Sequence, residues 1–302
     1  MKKEIKIQPE PRRSRILELK SFLENPGYFS ILLLGDRGTG KTHWIDYLTN
    51  ELNSVTVNCP FYDSTIEFWD SKFKEADNSY LIVDEVEKLD KKSQEILLQI
   101  MSTSNGKYGF SEKKYSVRVV FTSSYKVSIL RDGEKYLLNT FFDRIAQLTV
   151  ELPSFKESNK DIRKDFIATW KKMNFGGASN KTWNCPGIPL FKWLEKNSSI
   201  LYGNFRDLDK IAINWNQIQM NDNTLDDQTI LEKVVNDFTK YYHFTSHKPD
   251  DDNAFYFTKG KTKNELEKVW KTQFKQWAKK EYGSLEEAAI RLDMSKRTFE
   301  KW

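Results

Sequence analysis

Cysteine and histidine are scarce in this chain, and long apolar runs are missing. Only Cys59 and Cys185 occur, far apart and in no C-x-x-C, which argues against a disulfide framework. Of the three histidines, His43, His243 and His247, the last two are spaced i, i+4 without a third ligand nearby. Two imidazoles alone make a poor metal site, so they read as structural or solvent-facing. No apolar run is long enough to span a bilayer, and the basic N-terminus has no apolar segment behind it. The chain therefore reads as cytoplasmic, with no membrane partner. Internal repeats and low-complexity tracts are also missing.

What is present is a 302-residue chain, 38% hydrophobic and 30% charged, long enough for more than one domain. The pattern is organised around Gly35-Asp36-Arg37-Gly38-Thr39-Gly40-Lys41-Thr42. The apolar run Phe29-Ser30-Ile31-Leu32-Leu33-Leu34 before it is short and β-like, and the apolar residues of Trp44-Ile45-Asp46-Tyr47-Leu48 after it recur at helical spacing. Strand, glycine-rich turn and helix make the context in which G-x-x-x-x-G-K-[ST] binds phosphate. Glycines let successive N–H groups converge on an anion, and the helix adds its positive end. Lys41 would reach the β- and γ-phosphates, and Thr42 would offer its hydroxyl to Mg2+.

Further apolar strands are predicted at Ser54–Pro60, Tyr80–Glu85, Val117–Thr122 and Leu148–Pro153, alternating with helices at Ile16–Leu23, Ile66–Phe73 and Lys91–Met101. Short buried strands alternating with helices imply an α/β fold with a mostly parallel sheet covered on both faces. Ligands in such sheets sit beyond the carboxyl ends of the strands. Asp84 and Glu85 close one of these strands, which places Asp84 beside the Mg2+ and Glu85 where it can polarise a water. From Ser154 to about Tyr242 the pattern is helical only. Trp170, Trp183, Trp193 and Trp215 read there as core aromatics rather than base-stacking groups.

The ordered set of these pieces resembles the AAA+ domain of bacterial enhancer-binding proteins, the sigma-54-dependent transcriptional regulators. It includes Val57-Asn58-Cys59, Ala76-Asp77, Asp84-Glu85-Val86, Gln94-Glu95-Ile96-Leu97-Leu98, Arg118 to Ser124, Phe142-Asp143-Arg144-Ile145, Glu151-Leu152-Pro153 and Gly203-Asn204-Phe205-Arg206-Asp207-Leu208. The resemblance implies an AAA+ P-loop core, an all-α lid, ATP with Mg2+, and self-assembly into a ring, a hexamer by analogy. It further implies that Asn58 restrains the catalytic Glu85, that Ser124 is sensor I, that Arg144 is a finger reaching the next subunit's γ-phosphate, and that Arg206 is the sensor-II arginine. Three departures stand out. Ser124 replaces an asparagine, Leu138 replaces a second arginine, and Pro60–Ser79 is too short for the sigma-54-contacting loop, whose Gly-Ala-Phe-Thr-Gly-Ala motif occurs nowhere.

The last 42 residues carry eleven Lys or Arg against seven Asp or Glu, four of the chain's net +5. Leu266, Trp270, Phe274 and Trp277 form an apolar stripe on a predicted helix that Gly283 stops. Ser284-Leu285-Glu286-Glu287 is a capping box for a second helix, with Ala288, Ala289, Ile290 and Leu292 packing inward. Ser295 would cap a third. This arrangement resembles the helix-turn-helix of the same regulators, with Asp293 in place of the turn glycine. Lys296, Arg297 and Thr298 would then read double-stranded DNA. A three-helix protein-interaction bundle is the alternative. The expected organisation is residues 1–153 as the α/β nucleotide-binding part, 154–243 as the lid, 244–263 as a linker and 264–302 as a helix-turn-helix domain. The expected activity is that of an oligomeric, DNA-bound ATPase with an unknown protein target. The alternative is a nucleotide-gated DNA-binding switch, or a mobile-element or defence-system ATPase, in which hydrolysis only resets assembly.

Overall fold

The computed structural model describes residues 8, 10–25, 29–49, 54–59, 61–102, 107–109, 114–158, 161–173, 186–241 and 263–291. Two compact units result, Met1–Phe238 and Thr239–Trp302.

In the first unit the chain order is α1 (Arg12–Leu23), β1 (Ile31–Leu34), α2 (Lys41–Thr49), β2 (Ser54–Asn58), α3 (Ile66–Glu75), β3 (Ser79–Asp84) and α4 (Lys91–Ile100). There follow β4 (Lys107–Tyr108), β5 (Tyr115–Ser123), α5 (Val127–Leu130), α6 (Asn139–Ile145) and β6 (Leu148–Glu151). Helices α7 (Ile162–Met173), α8 (Ile188–Asn197), α9 (Phe205–Asn221) and α10 (Asp227–Tyr241) complete it. The strands pair in the order β2-β3-β5-β1-β6, every pairing along this path parallel. The two residues of β4 add an antiparallel partner to β5, a short hairpin that the sequence pattern did not suggest.

Alternation along the strands divides the core into two layers, because successive side chains of a strand leave opposite faces. Leu32, Leu34, Leu81, Val83, Val119 and Phe121 pack against α3, α4 and α6 through Trp69, Phe73, Leu97, Ile100, Phe141 and Ile145. Ile31, Leu33, Tyr80, Ile82, Val120 and Val150 pack against α1 and α2 through Ile16, Leu19, Leu23, Trp44 and Ile45. Continuous apolar runs such as Ile31–Leu34 therefore mark strands buried on both faces. Caps start the helices where the sequence supplies them. The Thr65 hydroxyl accepts the Phe68 N–H at 3.2 Å, and the Asp90 carboxylate accepts the Ser93 N–H at 2.7 Å.

Beyond β6 the described part of the first unit is helical, as the pattern indicated. Trp170 and Trp215 are buried in it and Trp193 is half-buried, so these three serve packing; Trp183 lies outside the described residues. Helix α7 is tied to α1 by a buried ion pair, Arg12 Nη1 to Asp165 Oδ1 at 2.9 Å. The same guanidinium lies over the rings of Phe155 and Phe205, 5.4 and 4.9 Å from their centroids. Burial raises the Asp165 carboxyl above the usual carboxylate range, and Arg12 opposes that rise.

The second unit contains α11 (Lys263–Tyr282) and α12 (Leu285–Arg291). Its core is Ala278, Ala288 and Ala289 with Phe274, Trp277 and Tyr282 packed against them. The Ser284 hydroxyl accepts the Glu287 N–H at 3.1 Å, which is the expected cap. Ile290, by contrast, was expected inside and is 75% exposed. Residues 288 and 289 already occupy the inward face of α12, and the next position is turned a further ~100° away. Leu292, Ser295 and the predicted base-reading Lys296, Arg297 and Thr298 lie outside the described residues, as do residues 242–262 and Cys185. Among the described residues no helix is long and apolar enough to cross a membrane.

Burial, not charge, decides what an ion pair contributes here. Asp165→Ala strands a guanidinium that is 1% exposed and should cost about 3–5 kcal/mol. Glu18→Ala removes the exposed Arg15–Glu18 pair, which at 2.7 Å is the shorter of the two, and should shift stability by less than about 1 kcal/mol. Denaturant midpoints of the two variants check this; equal losses would contradict it.

Candidate nucleotide site

The loop expected to hold phosphate runs from the end of β1 to the start of α2, at the carboxyl edge of the sheet. Its shape is set by local hydrogen bonds. The Thr39 hydroxyl donates to the Asp36 carbonyl at 2.8 Å and the Thr39 N–H to the same oxygen at 3.3 Å. Gly38 has φ +75°, and a Cβ there would stand 2.0 Å from the Gly203 carbonyl oxygen. Only glycine fits, because the loop lies backbone-to-backbone against the start of α9. The Phe205 N–H donates to the Gly38 carbonyl at 3.0 Å.

Lys41 opens α2 and folds back over the loop. Its ammonium donates to the Gly35 carbonyl at 2.6 Å and to the Ser124 hydroxyl at 3.3 Å. Burial lowers its pKa, while Glu87, Asp84 and Asp36 counter that effect. Across the cavity, Asp84 ends β3 and accepts a hydrogen bond from the Thr122 hydroxyl. Glu85 follows in a left-handed conformation, φ +57° and ψ +53°, with its N–H donating to Thr122 Oγ1 at 3.3 Å. Such backbone is uncommon outside glycine and asparagine and aims the Glu85 side chain off the line of the strand.

Gly38, Lys41, Thr42, Asp84, Glu85 and Ser124 line one cavity of about 260 Å3, closed by Arg206 from the lid and Arg37 from the loop. Gly40 also lines it; Gly35, Asp36 and Thr39 build the same loop behind the cavity wall. The charges suit a magnesium-bound polyphosphate. Cationic Lys41, Arg37, Arg206 and Lys172 surround the space, and the Thr42 hydroxyl and Asp84 carboxylate are hard oxygen donors of the kind that hold Mg2+ through a partly hydrated shell.

Asn58 and Arg144 do not line this cavity. Asn58 stands opposite Asp84 in the β2–β3 register, at the same sheet edge. Arg144 occupies the last turn of α6. The start of α6 is clamped by fully buried Gln94, which accepts the Leu138 N–H at 2.7 Å and donates to the Tyr136 and Leu89 carbonyls at 2.8 and 2.9 Å.

Several site residues escaped sequence reasoning. Glu87 is 8% exposed, accepts the Ser124 N–H at 3.4 Å, and has its second oxygen buried without a hydrogen-bond partner. Its position between apolar Val86 and Leu89 was the available signal. A second cavity, about 430 Å3, adjoins the first through Gly40, His43, Lys172, Phe205 and Asp209 and extends to Gln8, Trp44 and Thr169. Burial raises the Asp209 carboxyl, with Lys172 and Arg206 pulling it down. Nothing in the local pattern marks Lys172 or Asp209, because packing of the lid brings them in. Cys59, buried beside this acidic strand end, has its thiol pushed up to about 12 by burial and is inert as a nucleophile.

Comparison with known proteins is consistent with this geometry. A family model described as the Sigma-54 interaction domain matches residues 14–155. Among solved structures, NtrX from Brucella abortus, crystallised with ADP, is 14% identical with a TM-score of 0.59, covering 97% of this chain and 67% of that one. A RuvB variant from Thermotoga maritima is 12% identical with a TM-score of 0.54, covering 96% and 84%. The Aeropyrum pernix ORC1 protein in complex with DNA is 11% identical with a TM-score of 0.53, covering 78% and 66%. No curated protein sequence matches. The chain has the parallel-sheet fold of the AAA+ P-loop NTPases, and its residues 14–155 match the Sigma-54 interaction domain family.

Proposed function

We propose that this protein is a magnesium-dependent ATPase that works as an oligomer on DNA. The observation that carries the reading is the convergence of Lys41, Asp84, Glu85, Ser124 and the lid's Arg206 on one cavity above the phosphate loop. Lys41 and the loop amides would grip the triphosphate, and Thr42 and Asp84 would hold Mg2+, which would supply positive charge to the polyphosphate. Glu85 orients and deprotonates the attacking water, Ser124 senses the γ-phosphate, and Asn58 restrains Glu85 from the neighbouring strand. The wider cavity bounded by Gln8, Trp44, Thr169 and Phe205 takes the nucleoside. Arg206 links phosphate state to the lid. Support also comes from NtrX, which has been crystallised with ATP as well as with ADP.

Arg144 points the reading toward assembly. It sits on a clamped helix outside its own cavity, as a group serving a neighbour's γ-phosphate must. DNA is proposed as the partner of residues 264–302 on the basic charge of that segment, with Lys296, Arg297 and Thr298 as the base-reading residues. ORC1, a protein of the same fold, has been solved in complex with DNA. Direct engagement of sigma-54 is not proposed, because β2 and β3 are joined by little more than the single helix α3. A switch-like role with slow turnover is favoured by Leu138 at the head of α6, where a charged partner for Arg144 chemistry is replaced by an aliphatic group packed on the core.

Glu85→Gln should keep Mg-ATP binding while lowering kcat by about 10^2–10^4, measured as phosphate release. Full turnover would remove Glu85 from the chemistry. Mixing Lys41→Ala with Arg144→Ala protein should restore part of the activity that each lacks alone, since one supplies the arginine and the other an intact pocket. Activity no greater than the sum of the two would refute a shared site. Residues 264–302 should make duplex binding by the full chain fall steeply with added salt. A mobility shift insensitive to deletion of that segment would transfer DNA binding elsewhere or abolish the claim.

A further inference from the structure

Asn204 has an unusual backbone for a buried asparagine: φ +51° and ψ −124° at 1% exposure. A non-glycine residue held in a sparsely populated region is strained and persists only where its surroundings over-determine it. The surroundings here are three hydrogen bonds from one amide group. Asn204 Nδ2 donates to the Arg37 carbonyl at 3.0 Å and to the Tyr202 carbonyl at 3.2 Å, and its Oδ1 accepts the Phe155 N–H at 2.7 Å. One side chain, at the N-cap of α9, thus joins the glycine-rich loop, the segment leaving β6 and the turn before α9.

The link acts on the part of the loop that meets phosphate. A trans peptide unit is planar, with its C=O and N–H pointing in opposite directions. Anchoring the Arg37 carbonyl toward Asn204 therefore turns the Gly38 N–H the other way, and anchoring the Gly38 carbonyl on the Phe205 N–H does the same for Thr39. The Thr39 N–H does point back into the loop, where it meets the Asp36 carbonyl at 3.3 Å. The lid end of this clamp is stiff as well. Asp207 accepts the Gly203 N–H at 2.7 Å, and Lys210 pairs with Asp207 at 3.0 Å. Arg206, two positions after Asn204, faces the same cavity.

We infer that Asn204 is a positioning residue that orients the phosphate-loop amides from the lid, so that loop conformation and lid position form one mechanical unit. The inference rests on the nucleotide reading of the cavity for its effect on binding, but the clamp itself is a property of the nucleotide-free chain. Asn204 touches no phosphate; it acts through Arg37 and Gly38.

Two variants of the full chain test this. Asn204→Gly tolerates the backbone angles and removes all three side-chain bonds. Asn204→Asp keeps an acceptor for Phe155 and places a carboxylate against the Arg37 carbonyl. Hydrogen exchange of the nucleotide-free proteins should show the Phe205 and Arg206 amides losing protection in both variants, with helix content by circular dichroism unchanged. Binding of a fluorescent ATP analogue with Mg2+ should weaken by about ten- to a hundredfold, as loss of one or two hydrogen bonds permits. KM should rise likewise, with kcat at saturation kept within about threefold. The wild-type change in α9 protection on adding nucleotide should be lost. Wild-type exchange in the nucleotide-free variants, or wild-type affinity with an intact lid response, would overturn the inference. Failure of the wild-type chain to bind the analogue would count against the nucleotide reading instead, and the nucleotide-free exchange would still decide whether the clamp exists.

Discussion

Strand β1 is the constraint on which the site depends. Its four residues are paired on one side to β5 and on the other to β6, and each is at most 1% exposed. A segment hydrogen-bonded on both edges and buried on both faces has no freedom to shift, so the loop that begins at Gly35 leaves the sheet in one direction. Everything the loop does follows from that anchorage. The chain enters the loop from a fixed point, and α2 begins where the loop must end. The neighbouring parallel strand β5 delivers Thr122 and Ser124 to the same edge, and β3 delivers Asp84 and Glu85. Parallel pairing is what makes these carboxyl ends coincide.

Electrostatics at that edge is balanced rather than simply positive. Lys41 is half-buried and depressed in pKa, yet carboxylates at Glu87, Asp84 and Asp36 hold its charge in place. Without them a desolvated ammonium would be poorly tolerated. Glu87 is the least expected of these acids. It supports Ser124 from behind the cavity and leaves one oxygen unpaired, a cost that a protein core seldom bears away from a functional site. Ser124 is thus held by a carboxylate beneath it and touches Lys41 through its hydroxyl.

The helical part that follows β6 is joined to the sheet part through specific polar contacts. Arg12 pairs with Asp165 and stacks over Phe155 and Phe205, while Asn204 and Phe205 reach the phosphate loop directly. Hydrogen bonds and ion pairs have narrower geometric tolerance than hydrophobic contact, so a lid joined this way has a defined seat. That property matters for a protein in which occupancy of one cavity is proposed to be reported to other subunits through Arg206 and Arg144.

The sequence alone determined the local facts: which apolar runs are strands, where the glycine-rich loop between β1 and α2 lies, and which acids end β3. Each of these is a short-range pattern, read from spacing, glycine placement and the period of burial. The capped start of α12 was legible for the same reason. Tertiary structure alone decided what comes together from afar. Lys172 and Asp209 reach the cavity from two different lid helices, Gln94 clamps the head of α6, and Asn204 bonds a loop 167 positions away. No local pattern encodes such meetings, because they depend on how whole helices pack. Even within one helix, Ile290 faces solvent because the inward arc of α12 was already filled by two alanines.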